Sequence, residues 1–305
     1  MSKKVIEVKN LRKTYGSVVA VDEISFEVYE GEIFGMVGPN GAGKTTTVEC
    51  VEGLRKPDKG QLKVFGLDPQ DDGYSLRNRI GVQLQETALQ DHLKVWEALD
   101  LFASFYSNPV DWQSLLEKMN LAEKRNAAFN KLSGGQKQRL FIALSLVNNP
   151  ELVFFDELTT GLDPQARRNM WDLVRDIQKQ GKTVVLTTHF MEEAERLCDR
   201  VAIVDQGRIV ALDTPENLIR DLGAENRVVF TLNGEFEAEK LNELSSVSRV
   251  EQNGDRCQVY GNDERLVVDV VNTLSENGYP FRDLRTEQAT LEDVFLTLTG
   301  KEIRN

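Results

Sequence analysis

A chain of 305 residues, 40% hydrophobic and 28% charged, is long enough for one large domain and a smaller one. No stretch reaches the roughly 18 to 20 consecutive apolar residues of a membrane span, and Glu7 interrupts the N-terminus before the apolar core of a secretory signal could form. The formal net charge of -12 argues against a phosphate-backbone partner, so no nucleic acid is expected.

In chain order, residues 5–8 and 24–28 alternate apolar and polar side chains and predict an antiparallel edge. Residues 33–37 form a continuous apolar run, the pattern of a strand covered on both faces. Between about 93 and 131, Val95, Leu99, Phe102 and Tyr106, then Leu115, Leu116 and Met119, recur at helical spacing. They predict an all-helical insertion, a subdomain of about 90–140. Residues 152–155, 183–186 and 201–204 are further continuous apolar runs with helical patterns between them. Together they predict a doubly wound parallel sheet.

Gly223-Ala224-Glu225-Asn226 has the composition of a linker, which divides the chain into domains 1–222 and 223–305. Beyond it the pattern reads strand 227–232, helix 237–244, strands 247–252 and 256–260, helix 263–277 and strand 282–287, then a last helix at 290–299. That βαββαβ order is the split-βαβ or ferredoxin-like arrangement, with Asn253-Gly254-Asp255 as a hairpin turn. The three cysteines, Cys50, Cys198 and Cys257, are too scattered for a metal site and read as buried, reduced thiols.

Three short segments carry chemistry. Gly38-Pro39-Asn40-Gly41-Ala42-Gly43-Lys44-Thr45 follows an apolar strand and precedes a helical run, as a GxxxxGK[ST] phosphate loop requires. Its glycines let backbone N–H groups turn toward phosphate oxygens, and the helix N-terminus adds partial positive charge. Lys44 is expected to reach the β- and γ-phosphates, and the Thr45 hydroxyl to hold Mg²⁺. The strand at 152–155 ends in Asp156 and Glu157, which suit a metal-holding acid and a group that orients or deprotonates the attacking water. The third segment is Leu132-Ser133-Gly134-Gly135-Gln136, ahead of a helix-compatible run from Gln136 to Val147. A hydroxyl and two glycine amides at a helix N-terminus form another anion site.

Leu132-Ser133-Gly134-Gly135-Gln136, lying shortly before the Asp156 strand, resembles the signature motif of ABC ATPases. The resemblance covers roughly residues 4 to 220. It implies the fold class: an α/β P-loop NTPase of the ABC ATPase type, with a parallel-sheet core, an antiparallel β edge and a helical subdomain, followed here by a small α+β ferredoxin-like domain. It also implies ATP and Mg²⁺ as ligands, with residues 38–45 and Thr46 around the phosphates. Ser133, Gly134, Gly135 and Gln136 then serve the ATP held by a second copy of the chain.

Further positions follow from the same resemblance. Tyr15 is similar to the aromatic that stacks on adenine. Gln85 looks like the glutamine that contacts Mg²⁺ and senses a membrane partner, with Gln83 a neighbour of the same type. Asp163 looks like the aspartate facing the opposite subunit, and Asp163-Pro164 also reads as a helix N-cap with Pro at the first position. His189 looks like the histidine near the γ-phosphate, whereas His92 has no motif and reads as surface. Leu158 stands where many members have proline, a departure expected to alter loop geometry more than chemistry. The tail Thr290-Leu291-Glu292-Asp293-Val294-Phe295-Leu296 resembles exporter ATPases of the daunorubicin-resistance type. The expected partners are an integral-membrane permease and a second copy of the chain, and the expected location is the cytoplasmic face of the cell membrane.

Overall fold

The computed structural model describes residues 3–83, 89–221, 225–232 and 239–300. It divides into two compact units, Met1–Pro215 and Glu216–Glu302. The first opens with β1 (Lys4–Tyr15), β2 (Val18–Tyr29), β3 (Ile33–Val37), α1 (Lys44–Val51), β4 (Lys59–Val64), α2 (Gly73–Arg77) and β5 (Ile80–Gln83). Then come α3 (Val95–Ala103), α4 (Trp112–Lys118) and α5 (Gly134–Leu146). It closes with β6 (Leu152–Asp156), α6 (Pro164–Lys179), β7 (Thr183–Thr188), α7 (Met191–Leu197), β8 (Arg200–Asp205) and β9 (Arg208–Asp213), before α8 (Pro215–Asp221).

Two sheets build this unit. The larger has strand order β5-β6-β7-β3-β8-β9 and is parallel except for its edge pair β8 and β9. β3 lies between β7 and β8, and all five of its residues are buried, which is why its sequence is continuously apolar. The smaller sheet is antiparallel, in the order β2-β1-β4. Its alternating strands send Val5, Ile24, Phe26 and Val28 into a core shared with Phe34 and Met36 of β3. The Phe26 and Phe34 rings stack at 5.3 Å and join the two sheets. β3, β6 and β7 run parallel, so their C-terminal ends open on one edge of the sheet, where α/β folds bind ligands.

The helical region differs from its predicted pattern in one respect. Tyr106 shares the spacing of Val95, Leu99 and Phe102, yet α3 stops at Ala103. Phe105 N and Tyr106 N instead close tight turns on Phe102 O and Ala103 O, at 3.2 and 3.1 Å. Pro109 lies just ahead; it has no N–H to give and excludes helical backbone at Asn108. No helix among the described residues is long and apolar enough to cross a membrane.

The second unit contains β10 (Asn226–Leu232), α9 (Glu239–Asn242), β11 (Arg249–Asn253), β12 (Arg256–Gly261), α10 (Leu266–Glu276), β13 (Phe281–Glu287) and α11 (Leu291–Thr299). Its antiparallel sheet has the order β11-β12-β10-β13, the strand order of a ferredoxin-like fold. Leu266, Val270 and Leu274, one helical turn apart on α10, close a core with Val228, Phe230, Cys257 and Val259. Asn253 pairs with Arg256 across a two-residue turn in which Gly254 takes a φ of 64°, as a tight hairpin demands. Thr290 caps α11 in a reciprocal capping box with Asp293.

Glu52, just after α1, is a buried carboxyl whose pKa is pushed up to about 8 by burial, then by Asp156 and Glu49. The folded chain therefore keeps this proton to about pH 8, whereas the unfolded chain releases it near 4.5. The unfavourable contribution of Glu52 grows across that window and is constant above it. Glu52→Gln is expected to raise Tm at pH 8.5 by about 4 °C or more, and to leave it unchanged near pH 4.5, in thermal melts followed by circular dichroism.

Candidate functional site

The loop between β3 and α1 wraps a cavity of about 340 Å³ lined by Asn40, Gly41, Gly43, Lys44, Thr45 and Thr46, with Ala20 and Glu157 opposite. That size suits a small-molecule site. Lys44 is only 4% exposed; its ammonium donates to Gly38 O at 2.7 Å and Pro39 O at 3.1 Å. Burial pushes the Lys44 pKa down, and the carboxylates of Glu157 and Asp156 pull it back up. Gly43 is the N-cap of α1 at φ 102°, and a Cβ there would meet Ala20 O at 2.2 Å. Glycine at this position lets the backbone pass β2 closely enough to form the cradle.

The far wall comes from the ends of β6 and β7. Asp156 is buried, and its Oδ1 accepts from Thr187 Oγ1 and, at 3.3 Å, from Thr45 Oγ1. Burial raises the Asp156 pKa, against the two hydroxyl hydrogen bonds that favour the ionised form. A hydroxyl and a carboxylate oxygen this close offer two hard ligands, the number with which proteins usually hold Mg²⁺ on a nucleotide's phosphates. Among the described residues no group of three or more His, Cys, Asp or Glu forms a metal cage.

Glu157 N donates to Thr187 O at 3.1 Å, and Thr160 Oγ1 donates to Glu157 Oε2 at 3.3 Å. The backbone at Glu157 has a φ of 49°, a left-handed conformation that ordinary residues avoid and that clusters at functional sites. The following residue, Leu158, is buried. His189 Nδ1 lies 3.4 Å from Glu157 Oε1. The structure thus brings Lys44, Thr45, Asp156, Glu157 and His189 to one end of the parallel sheet.

Other predicted residues lie apart from the cavity. Tyr15 stands exposed at the tip of the β1–β2 hairpin, with the Arg55 guanidinium 5.3 Å and the Lys13 ammonium 5.7 Å from its ring centre. The hairpin is tied to the phosphate loop through Gly207: Asp22 N donates to Gly207 O at 2.8 Å, and Gly207 N donates to Ala42 O at 2.9 Å. Ser133 caps α5, accepting from Gln136 N at 3.4 Å, while Gln136 Oε1 accepts from Ser133 N at 3.0 Å. Ser133, Gly134 and Gly135 do not line the Lys44 cavity. Asp163 caps α6 by accepting from Ala166 N at 2.8 Å, with Pro164 at the first helical position. Gln85 lies outside the described residues, and Gln83 ends β5, buried.

Ala20 and Thr187 belong to this constellation although no motif singles them out. Thr187 was accessible from its place at the polar end of an apolar strand, two residues before His189. Ala20 carried no such signal; it enters through the close approach of β2 to Gly43.

Comparison with known proteins gives a consistent result. A family profile described as ABC transporter matches residues 21–160. A Nod factor export ATP-binding protein I of Ralstonia nicotianae is 39% identical over 311 residues, covering all of this chain and 96% of that protein. Its counterpart in Mesorhizobium japonicum is 39% identical, covering 98% of this chain and 87% of that one. The structure of an ATP-binding subunit of an ABC transporter superposes with a TM-score of 0.65 at 28% identity, covering 72% of this chain and 93% of that one. A dimeric ATP-binding cassette in a post-hydrolysis state, bound to ADP and Pi, superposes with a TM-score of 0.62 at 28% identity, covering 68% and 98%.

The cradle's geometry separates two glycine substitutions. A Cβ on Gly41, at φ 79°, meets nothing within 4 Å, so Gly41→Ala is expected to cost only the left-handed backbone penalty of about 1–2 kcal/mol. Gly43→Ala, which must also displace β2, is expected to cost more in urea unfolding and to abolish binding of a fluorescent ATP analogue.

Proposed function

The chain belongs to the family of ABC transporter ATP-binding proteins, and on that premise we propose how its residues serve ATP hydrolysis for export. It is the ATP-binding and ATP-hydrolysing subunit of an exporter-type transporter. The backbone of residues 38–43, Lys44, Thr45 and Thr46 holds the triphosphate, and Tyr15 stacks on the adenine. Thr45 and Asp156, with Gln85, would hold Mg²⁺, which when bound neutralises the β- and γ-phosphate oxygens. Glu157 takes a proton from water as the water oxygen attacks the γ-phosphorus. The bond from that phosphorus to the bridging oxygen breaks, and ADP leaves with its electron pair. His189, beside Glu157, steadies the γ-phosphate.

The observation that carries this reading is the pair of helix N-termini made for anions, one behind Lys44 and one behind Ser133. Ser133 is not part of the Lys44 cavity. A single triphosphate has no use for both within one chain. Two copies arranged head to tail close each Lys44 site with the partner's residues Ser133–Gln136, and Asp163 faces the same junction. Support for pairing comes from the dimeric cassette to which the chain is similar. Residues 1–222 are assigned to this ATPase domain. Residues 223–305, with a core of their own around Val228 and Phe230, are assigned to an accessory α+β domain for packing or dimerisation.

A second surface suits the membrane subunit. A groove of about 220 Å³ lies among Glu52, Leu54, Arg77, Gln83, Phe102 and Tyr106. On its rim, Phe105 is 67% exposed and packs edge-on against Phe102 with ring centres 5.9 Å apart. Leu54, which lines the groove, is 57% exposed as well, and open apolar side chains gathered on one groove suit a binding surface. The groove begins at Gln83, two residues before Gln85, so a permease helix seated there reaches the nucleotide through the end of β5. Through that subunit the chain sits on the inner face of the membrane.

Two experiments test these assignments. Glu157→Gln is expected to bind ATP normally, lose at least about 100-fold in turnover, and elute as a dimer with Mg-ATP on a sizing column. Adding Ser133→Arg or Gly135→Asp should return it to monomer with ATP affinity intact; a persistent dimer would refute the sandwich. Phe105→Glu should abolish co-purification with the membrane subunit from detergent extracts while ATP affinity is unchanged.

A further inference from the structure

Behind the reacting face lies a buried acid that the scheme above does not use. Glu193, on α7, is 2% exposed. One carboxylate oxygen accepts from Trp171 Nε1 on α6 at 2.9 Å. The hydroxyls of Thr188 and Thr159 face the same carboxylate, with the Arg167 guanidinium nearby. The Thr159 hydroxyl is buried and makes no hydrogen bond of ordinary length. Burial raises the Glu193 pKa, and the Thr188, Trp171 and Thr159 donors with the Arg167 charge work against that rise. A single indole N–H needs no buried charge to satisfy it. Burying a carboxylate is costly, so a mere packing role for Glu193 leaves most of this arrangement without purpose.

The donors are informative by position. Thr159 lies two residues after Glu157, in the turn where Thr160 N donates to Glu157 O at 3.2 Å and Leu162 N to Thr159 O at 3.2 Å. Thr188 immediately precedes His189, and its Oγ1 accepts from Phe190 N at 3.0 Å, so it brackets His189 on both sides. The Phe190 ring lies 4.1 Å from the His189 ring and beneath the Arg167 guanidinium at 4.0 Å. The carboxylate is thus bonded to α6 through Trp171 and lies beside the hydroxyls of the turn that carries Glu157 and of the turn that carries His189.

We infer that Glu193 is a positioning residue for hydrolysis, holding Glu157 and His189 in register from behind; this rests on the roles proposed above for those two residues. Misplacement of a reacting group by about 1 Å can cost about 100-fold in rate. Loss of the brace should therefore lower kcat and leave ATP binding, which depends on the residue 38–45 loop, untouched. Glu193→Gln retains the shape but removes the charge beside the Arg167 guanidinium and replaces one acceptor oxygen with an amide donor.

The test is a double-mutant cycle on the full chain, reading kcat by phosphate release and Kd with a fluorescent ATP analogue. Glu193→Gln is expected to lower kcat by about 10- to 100-fold with Kd within about twofold, and to slow His189→Ala by a clearly smaller factor, because only its hold on Glu157 is then left to lose. An unchanged kcat, or an equal fold-loss in both backgrounds, overturns the inference. His189→Ala turning over at the wild-type rate would instead mark failure of the role given to His189, and the inference falls with it. If Glu193→Gln does not fold, Thr159→Val, which removes only the hydroxyl beside the Glu157 turn, is expected to lower kcat about 10-fold or more with Kd within about twofold, and an unchanged kcat overturns the inference.

Discussion

The constraint on which the rest of the site depends is the burial of Asp156 at the end of β6. A carboxylate withdrawn from water must find donors, and its Oδ1 finds two: Thr45 on α1 and Thr187 on β7. These contacts join three parts of the sheet's reactive edge, namely the helix that follows the phosphate loop, the strand that carries Glu157, and the strand that leads to His189. Thr187 also receives Glu157 N on its carbonyl. The position of Glu157 is therefore inherited from the satisfaction of its neighbour. Even the left-handed backbone at Glu157 is held by hydrogen bonds on either side, as strain at a functional residue must be.

The parts of this arrangement that were legible in the sequence are those written as contiguous chain. Residues 38–45 announce a phosphate loop because glycine, lysine and hydroxyl are needed at fixed offsets along one turn. The apolar run 152–155 announces a buried strand because both faces are covered. The ferredoxin-like strand order follows from the βαββαβ succession, with Asn253 and Arg256 paired across Gly254. What stayed hidden is what only folding assembles. Ala20 joins the cavity because β2 passes within van der Waals reach of Gly43, and Glu193 meets Thr159 and Trp171 from distant segments. β4, β5 and β9 were missed as well. β5 is only four residues long, and β4 and β9 are largely solvent-facing, with burial patterns lacking a long apolar run.

Membership of the ABC transporter ATP-binding family gives these contacts their context. Such a subunit converts hydrolysis into movement of a membrane protein, so its reacting groups must respond to events at its surfaces. Two routes run outward from the sheet edge. One passes along β5 toward the groove at Gln83, Phe102 and Tyr106. The other passes through the turn at Thr160 and Leu162 to Asp163, where α6 is capped. Both begin within a few residues of Asp156 or on β5, which pairs with the strand that ends in Asp156.

The link between the β1–β2 hairpin and the phosphate loop has a consequence of its own. Gly207 is bonded to Asp22 on one side and to Ala42 on the other, and the side chain of Asp22 binds Arg12 and Arg208. Hairpin and loop are therefore tied to each other through Gly207 and Asp22, so the Tyr15 ring and the Lys44 ammonium belong to one bonded framework. Under the roles proposed for Tyr15 and Lys44, a nucleotide whose base and terminal phosphate are spaced wrongly satisfies one end only.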